Sequence, residues 1–130
     1  MGMYITGFYA GLLGLIMLAL IANVGRLRGQ TGVSLGNAGQ DRALLIADRR
    51  HMNFIENVPL ALVLLAIIET NGAPHLWVHV LGIILVIARV IHPFGLKPES
   101  MRSTCRLIGA GGTMLVTLVA SLMAIWLFVR

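Results

Sequence analysis

The sequence predicts an all-α integral membrane protein, with four transmembrane helices running up-down-up-down as a bundle in a single domain spanning residues 1–130. Three observations predict it. Only 12% of the 130 residues are charged, about half the roughly 25% usual in a soluble domain, and mean hydropathy is +0.89. Four apolar segments can be drawn along the chain, each close to the ~20 residues that a bilayer demands of a helix. Nine of the ten basic residues lie in or beside the connections after the first and third segments, and only Arg130 lies at the far end.

The first segment, about residues 4–25, carries no charged side chain until Arg26. Its Gly7, Gly11 and Gly14 leave shallow places where another helix can approach. A glycine-rich connector follows, from Gly29 to Gln40. Asp41 is placed to cap a second helix reaching Thr70, with Pro59 inside it. Asn71-Gly72-Ala73-Pro74 reads as a tight turn, because Asn-Gly ends helices and Pro starts them. The third helix is expected over about 75–92, stopped by Pro93 and Gly95, and the fourth over about 100–128 with Ser100 as its cap.

The positive-inside rule puts the basic connections in the cytoplasm and both termini on the periplasmic side of a bacterial inner membrane. Tyr4, Tyr9, Trp77 and Trp126 all fall toward the opposite helix ends, as an interfacial belt requires. The pI near 10.7 therefore speaks of membrane orientation rather than nucleic acid. No internal disulfide is possible with the single Cys105. No metal is expected either: His51 directly follows two arginines, which repel a cation, and His75 and His79 gain at most Glu69 as a third ligand.

Charge is concentrated in Arg49-Arg50-His51-Met52-Asn53-Phe54-Ile55-Glu56-Asn57-Val58-Pro59. At about 100° per residue, Arg49, Asn53 and Glu56 share one helix face. With the expected topology, Arg89 and His92 from the third helix and Arg102 and Arg106 from the fourth reach the same depth. Charged groups there cost a few kcal/mol each unless paired or hydrated, so the cluster is either a ligand site or a buried polar network between helices. Its cationic excess suits a carboxylate-bearing ligand, which guanidinium groups grip bidentately.

This stretch resembles the signature of the MAPEG family, the membrane-associated proteins in eicosanoid and glutathione metabolism. The family pattern Arg-x-x-x-Asn-x-x-Glu, followed shortly by Pro, is met by Arg49, Asn53, Glu56 and Pro59. Val33-Ser34-Leu35-Gly36, Ala88-Arg89-Val90-Ile91-His92 and Arg102-Ser103 extend the likeness over nearly the whole chain, nearest to the short bacterial members. The resemblance implies a homotrimer embedded in the lipid bilayer, with glutathione as co-substrate between subunits near the cytoplasmic face. It implies glutathione contacts at Arg49, Asn53 and Glu56, a cleft lined by Arg89 and His92, and Arg102 beside the sulfur as the catalytic, thiolate-stabilising residue, with Ser103 next to it. Arg106 joins the binding set, and Arg28 (or Arg26) stands for the arginine of the family's first helix.

One departure bears on catalysis. Several eukaryotic members clamp glutathione with tyrosines after the third-helix motif and early in the fourth helix, roughly where Leu96 and Arg106 stand here. The expected function is thus glutathione transfer or peroxidase action on hydrophobic small molecules from the bilayer. The alternatives are a non-catalytic lipid- or glutathione-binding membrane protein and, less favoured, a small transporter, for which Glu56 lies too near the helix end.

Overall fold

The computed structural model describes residues 2–34, 36, 41–95 and 103–130, and within these the protein is four helices and their connections. They are α1 (Tyr4–Thr31), α2 (Arg42–Thr70), α3 (His75–Gly95) and α4 (Thr104–Val129). Each is long and apolar enough to cross a bilayer.

Helix ends follow local chemistry, and several differ from the expected positions. α1 continues six residues past Gly25, through Gly29, because Arg26–Thr31 holds no proline and a single glycine weakens a helix without ending it; Gly32 ends it by adopting φ 72°, its N–H donating to the Arg28 carbonyl at 2.9 Å. α2 starts after Asp41, whose carboxylate accepts the Leu44 N–H at 2.9 Å. α3 carries Pro93 within its last turn and runs to Gly95, the proline removing one backbone donor from that turn. The expected cap Ser100 lies outside the described residues. α4 instead starts after Ser103, whose hydroxyl accepts the Arg106 N–H at 3.3 Å.

The helices alternate in direction. The start of α1 meets the end of α2 through Glu69, and the end of α1 meets the start of α2 through Arg28 and Asp48. The end of α3 packs on the start of α4, where Gly109 lies against Ala88 and His92. α1 packs on α2 and α3, and α4 on α2 and α3, while α1 and α4 do not meet among the described residues.

The inward face of α2 is Phe54, Val58, Ala61, Leu65 and Ile68. That of α3 is Val78, Leu81, Leu85 and Ala88, and that of α4 is Gly109, Thr113, Val116 and Ala120. The alternating steps of three and four are those of left-handed helix packing. Large apolar residues also point outward, among them Phe8, Leu15, Leu60, Ile87 and Leu122. In lipid such residues gain nothing by burial, so close packing rather than hydrophobic exclusion must hold the helices together.

Glycine supplies that closeness, though not at the positions expected. Gly7, Gly11 and Gly14 have nothing within 4 Å of where a side chain would begin. Gly82 admits the Tyr9 ring, and Gly109 admits the backbone of α3, where an added Cβ would come within 2.8 Å of the Ala88 carbonyl. Tyr9 is therefore no interfacial residue: it is 5% exposed and shares a 2.9 Å hydrogen bond with His79 Nδ1. Tyr4, Trp77 and Trp126 are exposed.

Glu69, 4% exposed, accepts the N–H groups of Ile5 at 2.9 Å and Thr6 at 2.7 Å. The last turn of α2 thus satisfies donors that the first turn of α1 cannot satisfy for itself, and sets a carboxylate at its positive end.

Gly109→Ala is expected to overpack the α3–α4 contact and cost about 1–3 kcal/mol, whereas Gly111→Ala, which meets nothing, leaves stability unchanged or slightly raised. Thermal unfolding of the two detergent-solubilised variants checks the contrast, and equal losses would contradict it.

Candidate functional site

A cavity of about 300 Å³ opens where the start of α2 and the end of α3 meet the first turn of α4, lined by Arg49, Met52, Asn53, Glu56, His92 and Arg106. Five of these six are residues singled out from the sequence. Met52 was not, although it was legible: positions 49, 52, 53 and 56 are spaced i, i+3, i+4, i+7 and form one stripe of a helix.

The lining is electrostatically asymmetric. Arg49, Arg106 and Glu56 are exposed at the mouth, and His92 is buried at 3%. Two cations and one carboxylate therefore surround a space with an amide and an imidazole in its wall. Such a set complements a ligand carrying two negative groups and one positive group.

Arg89 does not line the cavity. It is 2% exposed, donating from Nη1 to Asn53 Oδ1 at 3.0 Å and from Nη2 to the Gly109 carbonyl at 3.0 Å. One guanidinium thereby ties α3 to both α2 and α4. The same carbonyl accepts the Thr113 hydroxyl at 3.0 Å. Because a guanidinium can only donate, Asn53 must turn its oxygen to Arg89, which leaves the amide NH₂ as the part of Asn53 able to donate to a ligand. Arg89, expected in the cleft, thus directs these two donors to Asn53 and Gly109 and is not among the residues that line the cavity.

Arg28 is likewise committed elsewhere. It pairs with Asp48 at 3.2 Å and donates to the carbonyls of Val33, Ser34 and Gly36 at 3.4, 3.4 and 3.0 Å. Its Nη1 and Nη2 contacts hold the chain leaving α1 against the start of α2, outside the cavity. Ser103 caps α4 and lies against Gly95. Arg102 and Leu96 lie outside the described residues. At the opposite end, both Glu69 oxygens are taken by α1 and His79 by Tyr9, which accounts for two of the three side chains weighed there as metal ligands.

A fourfold helical membrane bundle with this polar stripe on its second helix is matched by known sequences. The MAPEG family model matches residues 6–126. The chain belongs to the MAPEG family. It is also similar to the inner membrane protein YecN of Escherichia coli strain K12, with 34% identity over 122 residues covering 94% of this chain and 91% of that one. YecN of Escherichia coli O6:H1 matches to the same degree. No solved structure matches the chain. This MAPEG protein is accordingly an integral membrane protein, and the cavity is assembled by the stretch that carries the family pattern.

The geometry separates residues that hold the site from residues that face a ligand. Arg89→Lys is expected to lower the melting temperature without any ligand, since one ammonium nitrogen replaces the two separate nitrogens that reach Asn53 and Gly109, and losing such a charge-assisted bond costs about 1.5–3 kcal/mol. Arg49→Ala and Arg106→Ala, at exposed positions, should shift ligand-free stability by no more than about 0.5 kcal/mol. Thermal melts of the three variants measure the difference.

Proposed function

We propose that this MAPEG protein binds glutathione in the α2–α3–α4 cavity and conjugates it to hydrophobic electrophiles that arrive from the bilayer. The observation that carries the reading is the charge pattern of the lining. Glutathione bears two carboxylates, for Arg49 and Arg106, and one α-ammonium, for Glu56, while the Asn53 amide donates to a carboxylate or peptide carbonyl. Arg102, by its resemblance to the family's arginine at the start of the fourth helix, stands beside the sulfur. A cation there favours loss of the thiol proton to water, and the thiolate then forms a C–S bond as the electrophile's leaving group departs with its electron pair. Ser103 keeps the first turn of α4, and so Arg106, in register.

A homotrimer in the bacterial inner membrane is the assembly proposed, with the cavity at the cytoplasmic face. The basic residues gathered at this end of the bundle support that orientation, and the name of its Escherichia coli relative supports the inner membrane.

One observation favours a second reading, binding without turnover. Both tyrosines of the chain lie in the first third of α1, at the far end of the bundle, and Tyr9 is engaged by His79. No phenol is present to replace the family's clamping tyrosines.

Glutathione titration of the solubilised protein, followed by melting temperature and by thiolate absorbance, separates the two. Binding stabilises the fold by about 2.7 kcal/mol at a hundredfold excess over Kd. Glu56→Ala is expected to weaken binding tenfold or more, in line with losing a charge-assisted hydrogen bond of about 1.5–3 kcal/mol. Arg102→Ala should keep most of the stabilisation but lose the thiolate signal and the conjugation of a chloronitrobenzene. Stabilisation without thiolate in the unaltered protein selects the binder, and no stabilisation at millimolar glutathione defeats both readings.

A further inference from the structure

The charge pattern of the polar cavity leaves one polar lining residue without a part, His92. Its side chain is 3% exposed and borders the cavity, and it makes no hydrogen bond among the described residues. Buried polar groups are hydrogen-bonded in native proteins, and the space that this ring borders is the cavity. We infer that His92 donates a ring N–H to the sulfur of the bound thiol and so helps to hold it as thiolate. The inference rests on the glutathione reading given above.

Two placements bring the sulfur to this ring. The ammonium and α-carboxylate of the γ-glutamyl end share one carbon, so Glu56 with Asn53 and Arg49 holds that end along α2. Arg106 on α4 then takes the glycyl carboxylate. His92 is the lining residue that α3 contributes, and it meets the residue in between, the cysteinyl. The seam between α3 and α4 leads to the same spot. Gly109 lies against the His92 Cβ, and Gly95, one turn beyond His92, lies against the Ser103 hydroxyl. Arg102 precedes Ser103 in the chain, so a sulfur beside that arginine lies at the seam that His92 borders.

Charge decides between donating a hydrogen bond and accepting the proton. Arg89 on α3 and Arg106 on α4 are cationic neighbours of the ring, and Arg49 and Glu56 face the same space from α2. Proton transfer from the thiol would add a positive charge among three guanidinium groups and one carboxylate. Donation from an uncharged ring adds none. At neutral pH an imidazole ordinarily carries one N–H and one bare nitrogen, so the donor is at hand. The thiol proton leaves for water, the electron pair of the S–H bond stays on sulfur, and the ring N–H turns toward it. No bond of the ring is made or broken. A hydrogen bond to an ionised acceptor is roughly twice as strong as one to a neutral acceptor, so the contact favours thiolate over thiol.

Thermal titration of the solubilised protein with glutathione and with S-methylglutathione, which has no sulfur proton to lose, isolates the contact. At a pH where the bound thiol is ionised, His92→Phe is expected to weaken glutathione about tenfold, the scale of losing a hydrogen bond to a charged group. S-methylglutathione should bind the variant as it binds the unaltered protein. The pH at which half of the bound thiol absorbs as thiolate should rise by about one unit, the same tenfold expressed as acidity. His92→Asn and His92→Gln each place an amide N–H near one ring nitrogen, and one of them should recover most of both effects. His92→Ala gives the same comparison of the two ligands if the phenylalanine variant does not fold. Equal weakening of both ligands, weakening of neither, or amide variants no better than phenylalanine would overturn the contact and leave the glutathione reading in place. Glutathione bound without thiolate in the unaltered protein would overturn it too. No stabilisation of the unaltered protein by glutathione defeats that reading and this inference together.

Discussion

A guanidinium at membrane depth has to be answered, and the way Arg89 is answered organises this protein. Its two terminal nitrogens reach Asn53 on α2 and the Gly109 carbonyl on α4, so a charge costly to leave in lipid becomes the tie among three helices. Both partners depend on features elsewhere. Gly109 must lack a side chain for α3 to come close enough, and Asn53 must sit one turn along from Arg49 for the amide to face a cavity on its other side. Packing, polar satisfaction and the character of the site thus rest on one contact.

The fold was legible because its signals are local. Apolar run length sets the four helices, and Asp41 marks the start of α2 through side-chain chemistry carried by a single residue, whereas the end of α1 at Gly32 was missed because several glycines compete for that role. The polar stripe of α2 was legible for the same reason, since helical period alone places Arg49, Met52, Asn53 and Glu56 together. Destinations across helices were not. Arg89 looks like a ligand contact when read by type and depth, and the family resemblance adds Arg28 and Ser103, yet Gly109, Asp48 and the first turn of α4 engage them. Tyr9 looks interfacial until Gly82 opens a place for its ring. For Arg28, Arg89 and Tyr9 the deciding partner lies on another helix, or is a glycine whose role is to be absent, and no period or propensity encodes that pairing; Ser103 is instead taken by a local cap of its own helix.

The two ends of the bundle are chemically unlike. One gathers guanidinium groups, a carboxylate and an amide around a water-accessible space. Among the described residues the other has only Arg130 and the buried Glu69 as Lys, Arg, Asp or Glu side chains, and presents indoles, a thioether and a proline. Helices that gain nothing by hiding apolar surface must cohere by close packing, and the backbone approach at Gly109 lies at the polar end itself, beside His92.

The Glu69 contact bears on how the chain is made. The donors at the start of α1 are satisfied by a carboxylate 63 and 64 residues further on. During synthesis α1 enters the bilayer with those amides still dependent on water or headgroups, and that dependence ends only when the last turn of α2 arrives beside it. The first two helices are therefore completed as a hairpin, with the acid at the close of the second acting as the latch on the first.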